Sequence, residues 1–137
     1  MHVEHRIITR ATPDLIFRIY EDVAGWHTWD PDTRQAMLDG PLLPGARGQL
    51  TPTRGRTVPM VVTEVVAGRS FTVESRIPLF RMVFEHVLTP LPGGTEVTHR
   101  VRFFGLLSIV LGPMLIRQLD TGLPVTLARL RERAESG

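Results

Sequence analysis

The stretch FRMVFEHVLTPLPGGTEVTHRVRFF, residues 80–104, decides the fold because it holds two strands and the turn between them. Residues 80–88 and 95–104 are rich in β-branched and aromatic side chains that alternate with polar ones, a pattern typical of strands. Pro92-Gly93 predicts a tight turn and therefore an antiparallel pair. Because opposed residues share a face, this register places His86 beside His99.

The same pattern extends towards the N-terminus. Short turns at Ala67-Gly68 and Pro78-Leu79 join further strands, and short turns imply antiparallel neighbours. The sequence therefore predicts a six-stranded meander whose other members are Thr33 to Leu38, Gly45 to Thr51, Val58 to Val66 and Arg69 to Ile77.

Tight turns also predict which side chains share a face. If Val66 opposes Arg69 and Ile77 opposes Phe80, Glu64 lies opposite Phe71 and Phe71 opposite His86. The Pro92-Gly93 turn places Glu85 opposite Arg100 on the outer face. Three ionisable groups, Glu64, His86 and His99, then form a row across the inner face. That face carries Met60, Val62, Glu64, Phe71, Val73, Ser75, Ile77, Met82, Phe84, His86, Leu88, Val97, His99, Val101 and Phe103.

The segment before the meander predicts a strand and two short helices. Residues 2–9 alternate as a strand, and Thr12-Pro13-Asp14 is a helix start whose apolar face ends before Gly25. Both tryptophans, Trp26 and Trp29, follow in the stretch GWHTWDPD, where Pro31 keeps the second helix short. We expect a turn that presses two indole rings against an apolar surface.

After Phe104 the pattern becomes helical. Leucines from Leu115 to Leu130 recur at three- and four-residue spacing, which predicts a long C-terminal helix. Pro113 suits the first turn of this helix, and Pro124 lies inside it. The whole order predicts an α+β fold: a curved antiparallel sheet with the helix lying across its concave side.

Composition excludes several classes of function. A chain of 137 residues predicts one domain with one core, and the absence of cysteine excludes disulfides and thiolate chemistry. Residues 103–116 form an apolar run too short for a membrane span, and MHVEHRIITR lacks the apolar core of a signal peptide, so we expect a cytoplasmic protein. The basic residues are scattered arginines with a net charge of +2, which does not favour nucleic-acid binding.

The polar row on the inner face has three interpretations. The side chains are hydrogen-bonded core groups, or they line a cavity and orient a ligand, or they bind a metal. His86 and His99 could chelate a metal together, but Glu64 lies two strands away and no third ligand is evident. The sequence therefore predicts neither a metal site nor a cofactor.

The ordered motifs resemble the START-like, or SRPBCC, superfamily, in particular its polyketide cyclase/dehydrase and lipid-transport branch. TPDLIFRIYEDVAGWHTWDPD is similar to the first helix and W-x-x-W-x-P turn of that branch. GARGQL, VTEVVAGRSFTVES, FEHVLTPLPGGTEVTHRV and LGPMLIRQL are similar to its later blocks, in order. The resemblance implies a helix-grip fold over residues 1–137, in which a seven-stranded antiparallel sheet wraps around the C-terminal helix and encloses a hydrophobic cavity.

Three functions remain open on this basis. The leading hypothesis is binding of a small hydrophobic or aromatic molecule by a monomer or homodimer, with Trp29 in the cavity wall. The second is a polyketide cyclase, aromatase or dehydratase in which His86, His99 and Glu64 are candidate acid–base groups. The third is a protein-interaction module that uses an exposed groove. The predicted ligand-binding residues are Trp29, Glu64, Phe71, Val73, Ser75, Met82, Phe84, His86, His99, Val101, Phe103, Leu119 and Leu123.

Overall fold

The computed structural model describes residues 1–136 as seven strands, two α-helices and one 3₁₀ helix. In chain order these are β1 (His2–Thr9), α1 (Pro13–Glu21), the 3₁₀ helix (Val23–Thr28), β2 (Thr33–Leu38), β3 (Arg47–Pro52), β4 (Val58–Val66), β5 (Ser70–Ile77), β6 (Phe80–Leu91), β7 (Gly94–Phe104) and α2 (Ser108–Ser136).

All seven strands form one antiparallel sheet with the order β1-β7-β6-β5-β4-β3-β2. The predicted meander from β2 to β7 is confirmed, and β1 closes the order by pairing with β7. The sheet curls around α2, so the α+β helix-grip architecture is confirmed. Within residues 1–136, neither helix combines the length and the hydropathy needed to cross a membrane.

Two hairpin turns have the predicted length. Pro92-Gly93 joins β6 to β7 with Leu91 paired to Gly94, and His86 therefore opposes His99 as expected. Pro78-Leu79 joins β5 to β6, and Leu79 adopts a left-handed conformation with φ 64°. The Leu79 carbonyl accepts a hydrogen bond from the Leu107 backbone N–H (3.0 Å), which ties this turn to the start of α2.

The predicted register between β4 and β5 is wrong. The turn has three residues, with Gly68 at φ +72°, and pairs Val66 with Ser70. A bulge at Thr63 then restores the pairing of Val62 with Val73. Glu64 consequently opposes Thr72 on the outer face and is exposed to solvent, so it is absent from the polar row of the inner face.

The first helix begins as the sequence predicts. The Thr12 hydroxyl accepts a hydrogen bond from the Leu15 backbone N–H (3.3 Å), and Pro13 occupies the first helical position. The helix buries Ile16, Phe17 and Tyr20 against the sheet. It ends at Glu21, before Gly25, and the 3₁₀ helix follows at once.

The C-terminal helix starts earlier than predicted. It begins at Ser108, so Pro113 lies in its interior rather than in its first turn. Pro113 removes the N–H that would bond the Ile109 carbonyl, but both residues are exposed and water can bond that carbonyl instead. The C-terminal half buries one face, whereas the N-terminal half leaves Ile109, Val110 and Met114 exposed.

Two hydrophobic clusters fill the space between sheet and helices. The larger one joins α1, the 3₁₀ helix, strands β2 to β7 and the end of α2. The smaller one joins Val3, Phe80, Val101 and Phe103 to the N-terminal half of α2. On the outer face, the predicted pair of Glu85 and Arg100 forms an ion pair at 3.2 Å, and Arg102 is exposed while Arg100 is partly buried.

Candidate ligand-binding site

A cavity of about 310 Å³ lies between the two hydrophobic clusters, bounded by the concave face of the sheet and by α2. Its volume is at the lower end of the range of small-molecule pockets, roughly 300–1,000 Å³. Most of its lining side chains are apolar, and the exposed lining residues Asp32, Arg54, Ile77 and Gln118 mark its opening.

Most of the predicted ligand-binding residues line this cavity. They are Trp29, Val73, Ser75, Met82, Phe84, His86, His99, Val101, Leu119 and Leu123. Three do not. Glu64 is on the outer face, Phe103 is buried in the smaller cluster, and Phe71 is buried beneath His86 with the two rings stacked at 4.0 Å. Phe71 therefore supports a cavity residue and makes no direct contact with the cavity.

Two histidines, His86 and His99, belong to the polar part of the wall, and Tyr20 lies directly behind them. His86 and His99 meet edge to face with ring centroids 4.7 Å apart. The buried hydroxyl of Tyr20 is 2.8 Å from Nε2 of His99. Nδ1 of His86 donates to the Phe71 carbonyl (3.2 Å), which leaves Nε2 of the neutral ring as an acceptor.

Burial keeps these three side chains uncharged. Loss of hydration lowers the pKa of His86 to about 4, although the bond to the Phe71 carbonyl opposes this shift. Burial and the neighbouring His86 together lower the pKa of His99 well below its ordinary value. Burial also raises the pKa of Tyr20. Near pH 7 the wall therefore presents two neutral imidazoles, one of which is hydrogen-bonded from behind by a neutral phenol.

The two tryptophans lie side by side against an apolar surface, as their spacing predicts. Both are buried, with ring centroids 6.5 Å apart, and both line the cavity. The indole N–H of Trp26 donates to the Tyr20 carbonyl (2.9 Å). The indole N–H of Trp29 is buried and has no hydrogen-bond partner within residues 1–136.

Sequence reasoning missed two polar groups of the site. Tyr20 escaped notice although it is the only tyrosine and lies on the buried face of α1, where its hydroxyl needs a partner. Asp30 lines the cavity and accepts hydrogen bonds from Thr33 and Thr126. Burial raises the pKa of Asp30, although these hydrogen bonds oppose the shift. The signal in the sequence that could have identified Asp30 as a cavity residue is its position directly after Trp29.

A third histidine extends the row of His86 and His99 onto β1. His5 pairs with His99 in the sheet, but its Nε2 bonds the Asp120 carboxylate of α2 at 2.7 Å. Within residues 1–136 no group of three His, Asp or Glu side chains is placed to hold a metal ion. The histidines are therefore arranged as hydrogen-bonding groups and as a link to α2.

This fold and cavity belong to a known class. The family described as polyketide cyclase / dehydrase and lipid transport matches residues 1–135. The chain belongs to that family. No curated protein sequence matches it.

Solved structures share the fold at low sequence identity. TTHA0849 from Thermus thermophilus is 16% identical, with a TM-score of 0.78, 99% of this chain covered and 98% of that one. StfQ, a di-domain ARO/CYC from the steffimycin biosynthetic pathway, is 14% identical with a TM-score of 0.79, covering 98% of this chain and 50% of that one. BexL, a di-domain ARO/CYC from the BE-7585A biosynthetic pathway, is 19% identical with a TM-score of 0.78, covering 98% and 46%.

Proposed function

We propose that the protein binds a small hydrophobic or aromatic, polyketide- or lipid-like molecule in the cavity between sheet and α2. The observation that carries this proposal is a cavity of about 310 Å³ that lies between two apolar clusters and is lined by a few polar groups. Apolar walls supply affinity and isolated polar groups fix orientation in such sites. Membership of a family described by polyketide cyclisation and lipid transport supports the same function.

The cavity also favours this hypothesis over a protein-interaction module. A module that bound a partner protein in the groove would expose an open apolar trough. Here most lining side chains are buried or half-buried, Trp29, Val101 and Leu123 among the buried ones, and the exposed lining residues are confined to the opening.

A blocking substitution tests the proposal. Leu119 lines the cavity from α2, whereas Met114 is exposed on the same helix and does not line it. Leu119→Trp should fill part of the cavity and weaken binding of N-phenyl-1-naphthylamine, a neutral apolar probe, by more than about tenfold, as loss of roughly 1.4 kcal/mol implies. Met114→Trp adds the same side chain outside the cavity and should leave binding unchanged. Titration calorimetry measures both. Equal affinity in all three proteins would contradict the proposal.

A second candidate function is cyclisation of a polyketide chain. The observation that favours it is the pair of His86 and His99 in the cavity wall, with Tyr20 bonded behind His99, because neutral imidazoles can accept a proton. In such a reaction His86 would take a proton from a methylene between two carbonyls. The resulting carbanion would form a carbon–carbon bond to a ketone carbon of the same chain, and the imidazolium would return its proton to the new alkoxide. Glu64 has no part in this scheme because it lies on the outer face.

Conservative variants separate the two functions. His86→Gln keeps a polar side chain but removes the titrating ring. If the protein is a cyclase, the variant should bind a linear poly-β-ketone thioester normally and lose turnover by roughly 10²–10⁴-fold. The cyclisation leaves the mass unchanged, so liquid chromatography coupled to mass spectrometry separates the cyclic product from the linear chain of the same mass. Absence of turnover in the wild-type protein, with binding intact, would leave the carrier function.

A further inference from the structure

We propose that the wall of the cavity binds an uncharged hydrogen-bond acceptor of the ligand, such as a ketone oxygen, through the indole N–H of Trp29. This inference rests on the proposed binding function and specifies the chemistry that the ligand must carry. It assigns to Trp29 a positioning contact in addition to its packing.

The argument starts from the different surroundings of the two indoles. Both tryptophans line the cavity and are more than nine-tenths buried. Trp26 donates its N–H to the Tyr20 carbonyl, whereas the N–H of Trp29 has no acceptor within residues 1–136. A buried donor without a partner costs free energy, so buried indole N–H groups are normally bonded. A ligand oxygen at Trp29 removes that cost.

The aromatic rings packed around Trp29 leave this bond unmade. The rings around Trp29 are those of Tyr20, Trp26 and His99, with centroids 5.9, 6.5 and 6.4 Å away. The Nε2 atom of His99 already contacts the Tyr20 hydroxyl. The other buried N–H without a partner among the described residues belongs to Arg81, which does not line the cavity. Within residues 1–136, Trp29 therefore offers the buried donor of this wall that no protein group uses.

The same wall disfavours a charged acceptor. Its histidines resist protonation because burial lowers the pKa of both rings, so no cation faces the Trp29 N–H from them. Of the two arginines that border the cavity, Arg54 is exposed at the opening and Arg100 is paired with two carboxylates of the outer face. A carboxylate next to Trp29 would lose its hydration without gaining a counter-ion. A neutral oxygen on an apolar ring system fits the site better.

Three naphthalene probes test this chemistry by titration calorimetry at pH 7. The ketone 2-acetylnaphthalene offers a neutral acceptor, 2-ethylnaphthalene is its hydrocarbon counterpart, and 2-naphthoate carries a charge. In the wild-type protein the ketone should bind at least as tightly as the hydrocarbon and about tenfold or more tighter than the carboxylate. Trp29→Phe should lower the ketone-to-hydrocarbon affinity ratio about tenfold, because it removes the donor and alters the packing for both probes alike.

Trp26→Phe is the matched control, because its N–H is already bonded to the Tyr20 carbonyl. It should leave the ratio unchanged. A ratio that stays constant in Trp29→Phe overturns the inference while the proposed binding function stands. The titrations of the wild-type protein test the inference without any variant. A ketone that binds tenfold more weakly than the hydrocarbon overturns the inference, and so does a ketone that binds no better than the carboxylate. If neither neutral probe binds, both the inference and the proposed function are wrong.

Discussion

Trp26 and Trp29 lie in the same wall, yet replacing each indole by a benzyl ring should affect the free energy of unfolding differently. Trp26→Phe removes a buried hydrogen bond and leaves the Tyr20 carbonyl without its donor. Trp29→Phe removes an N–H that has no protein partner within residues 1–136. Apart from the similar loss of ring volume, Trp26→Phe should therefore destabilise the protein by about 1–2 kcal/mol more.

Urea denaturation followed by circular dichroism at 222 nm measures this difference. Truncation of either ring to alanine should cost much more, about 3–5 kcal/mol, because both side chains are buried in the larger cluster. A Trp29→Phe variant that is the less stable of the two would show that its N–H is already bonded in the free protein.

The two histidines of the cavity wall, His99 buried and His86 half-buried, make stability depend on pH. Folding lowers the pKa of His86 to about 4 and lowers that of His99 as well, so between about pH 4 and 6.5 the unfolded state binds more protons. Their contribution to stability is present above the unfolded pKa of about 6.5 and is lost as the pH falls towards the folded values. We expect the free energy of unfolding to drop by roughly 2 kcal/mol for each histidine, or about 4 kcal/mol for both, between pH 7 and pH 5.

The double variant His86→Gln/His99→Gln provides the control for this dependence. It should be less stable at pH 7 but should lose little further stability on going to pH 5. Asp30, whose pKa burial raises, titrates with the opposite sign, but it is common to both proteins and cancels in the comparison. Equal acid sensitivity of the wild-type protein and the double variant would mean that both imidazoles protonate freely in the folded state.

At the scale of single residues, alternation and turn length sufficed to predict the opposition of His86 and His99. They did not predict which polar groups complete the site. Asp30 reaches the cavity from the turn after the 3₁₀ helix, and Tyr20 supports His99 from α1. The packing of these segments on the sheet depends on long-range contacts that no local pattern encodes.

At the scale of elements, two single-residue deletions in β4 test the assigned bulge. Both shorten the strand by one residue, but they place different side chains opposite Phe71. Removal of Thr63 or removal of Val65 each eliminates the bulge and preserves the pairing of Val66 with Ser70 and of Val62 with Val73. Without Thr63, Val65 still opposes Phe71. Without Val65, Glu64 takes that inward position.

The Val65 deletion should therefore be less stable than the Thr63 deletion by roughly 2 kcal/mol or more, because it places a carboxylate on an apolar face. Thermal unfolding at pH 7 measures the difference, and a Val65 deletion that also carries Glu64→Val should recover most of the loss. Similar stabilities for the two deletions would contradict the assigned bulge.

This strand also explains where prediction of the elements failed. Pro78-Leu79 and Pro92-Gly93 allow one turn length, and their registers were correct. Ala67-Gly68 is compatible with two- or three-residue turns, and the Thr63 bulge compensates for the longer one within a few residues. The two consecutive polar residues Thr63 and Glu64 were the signal that alternation breaks there. For α2, the sequence alone favours Pro113 as part of the first turn, because a proline in a helix interior normally destabilises the helix. That destabilisation is smaller where the carbonyl that the proline leaves unbonded is exposed to water, and the exposure of Ile109 cannot be read from the sequence.

At the scale of the whole molecule, the strands β2 to β7 pair with their neighbours in sequence, whereas β1 pairs with the far end of the meander. The β1 pairing closes a loop of most of the chain, and long loops carry a larger entropic cost than hairpins. We therefore expect the meander to form before β1 docks onto β7. Alternation in the sequence predicts β1 as a strand, but it does not identify β7 as its partner, because the two strands are far apart in the chain and no short turn connects them.

Folding kinetics test this order with two equivalent truncations of buried valines. Val73→Ala in β5 should slow folding, because its partners Val62 and Phe84 belong to adjacent hairpins. Val3→Ala in β1 should mainly accelerate unfolding, because its partner Val101 is on the distant β7. Stopped-flow measurements in urea give both rates. A slower folding rate for Val3→Ala would place β1 in the folding nucleus.

The aromatic wall of the cavity has an optical consequence. The chain has two tryptophans and one tyrosine, and the ring centroid of Trp29 lies 6.5 Å from that of Trp26 and 5.9 Å from that of Tyr20. Every indole and phenol chromophore of the protein is therefore in or against the cavity wall. Intrinsic tryptophan fluorescence therefore monitors this one region and is insensitive to the outer face of the sheet. An emission change on adding a compound reports on the cavity environment, while a ligand bound elsewhere would leave the spectrum nearly unchanged.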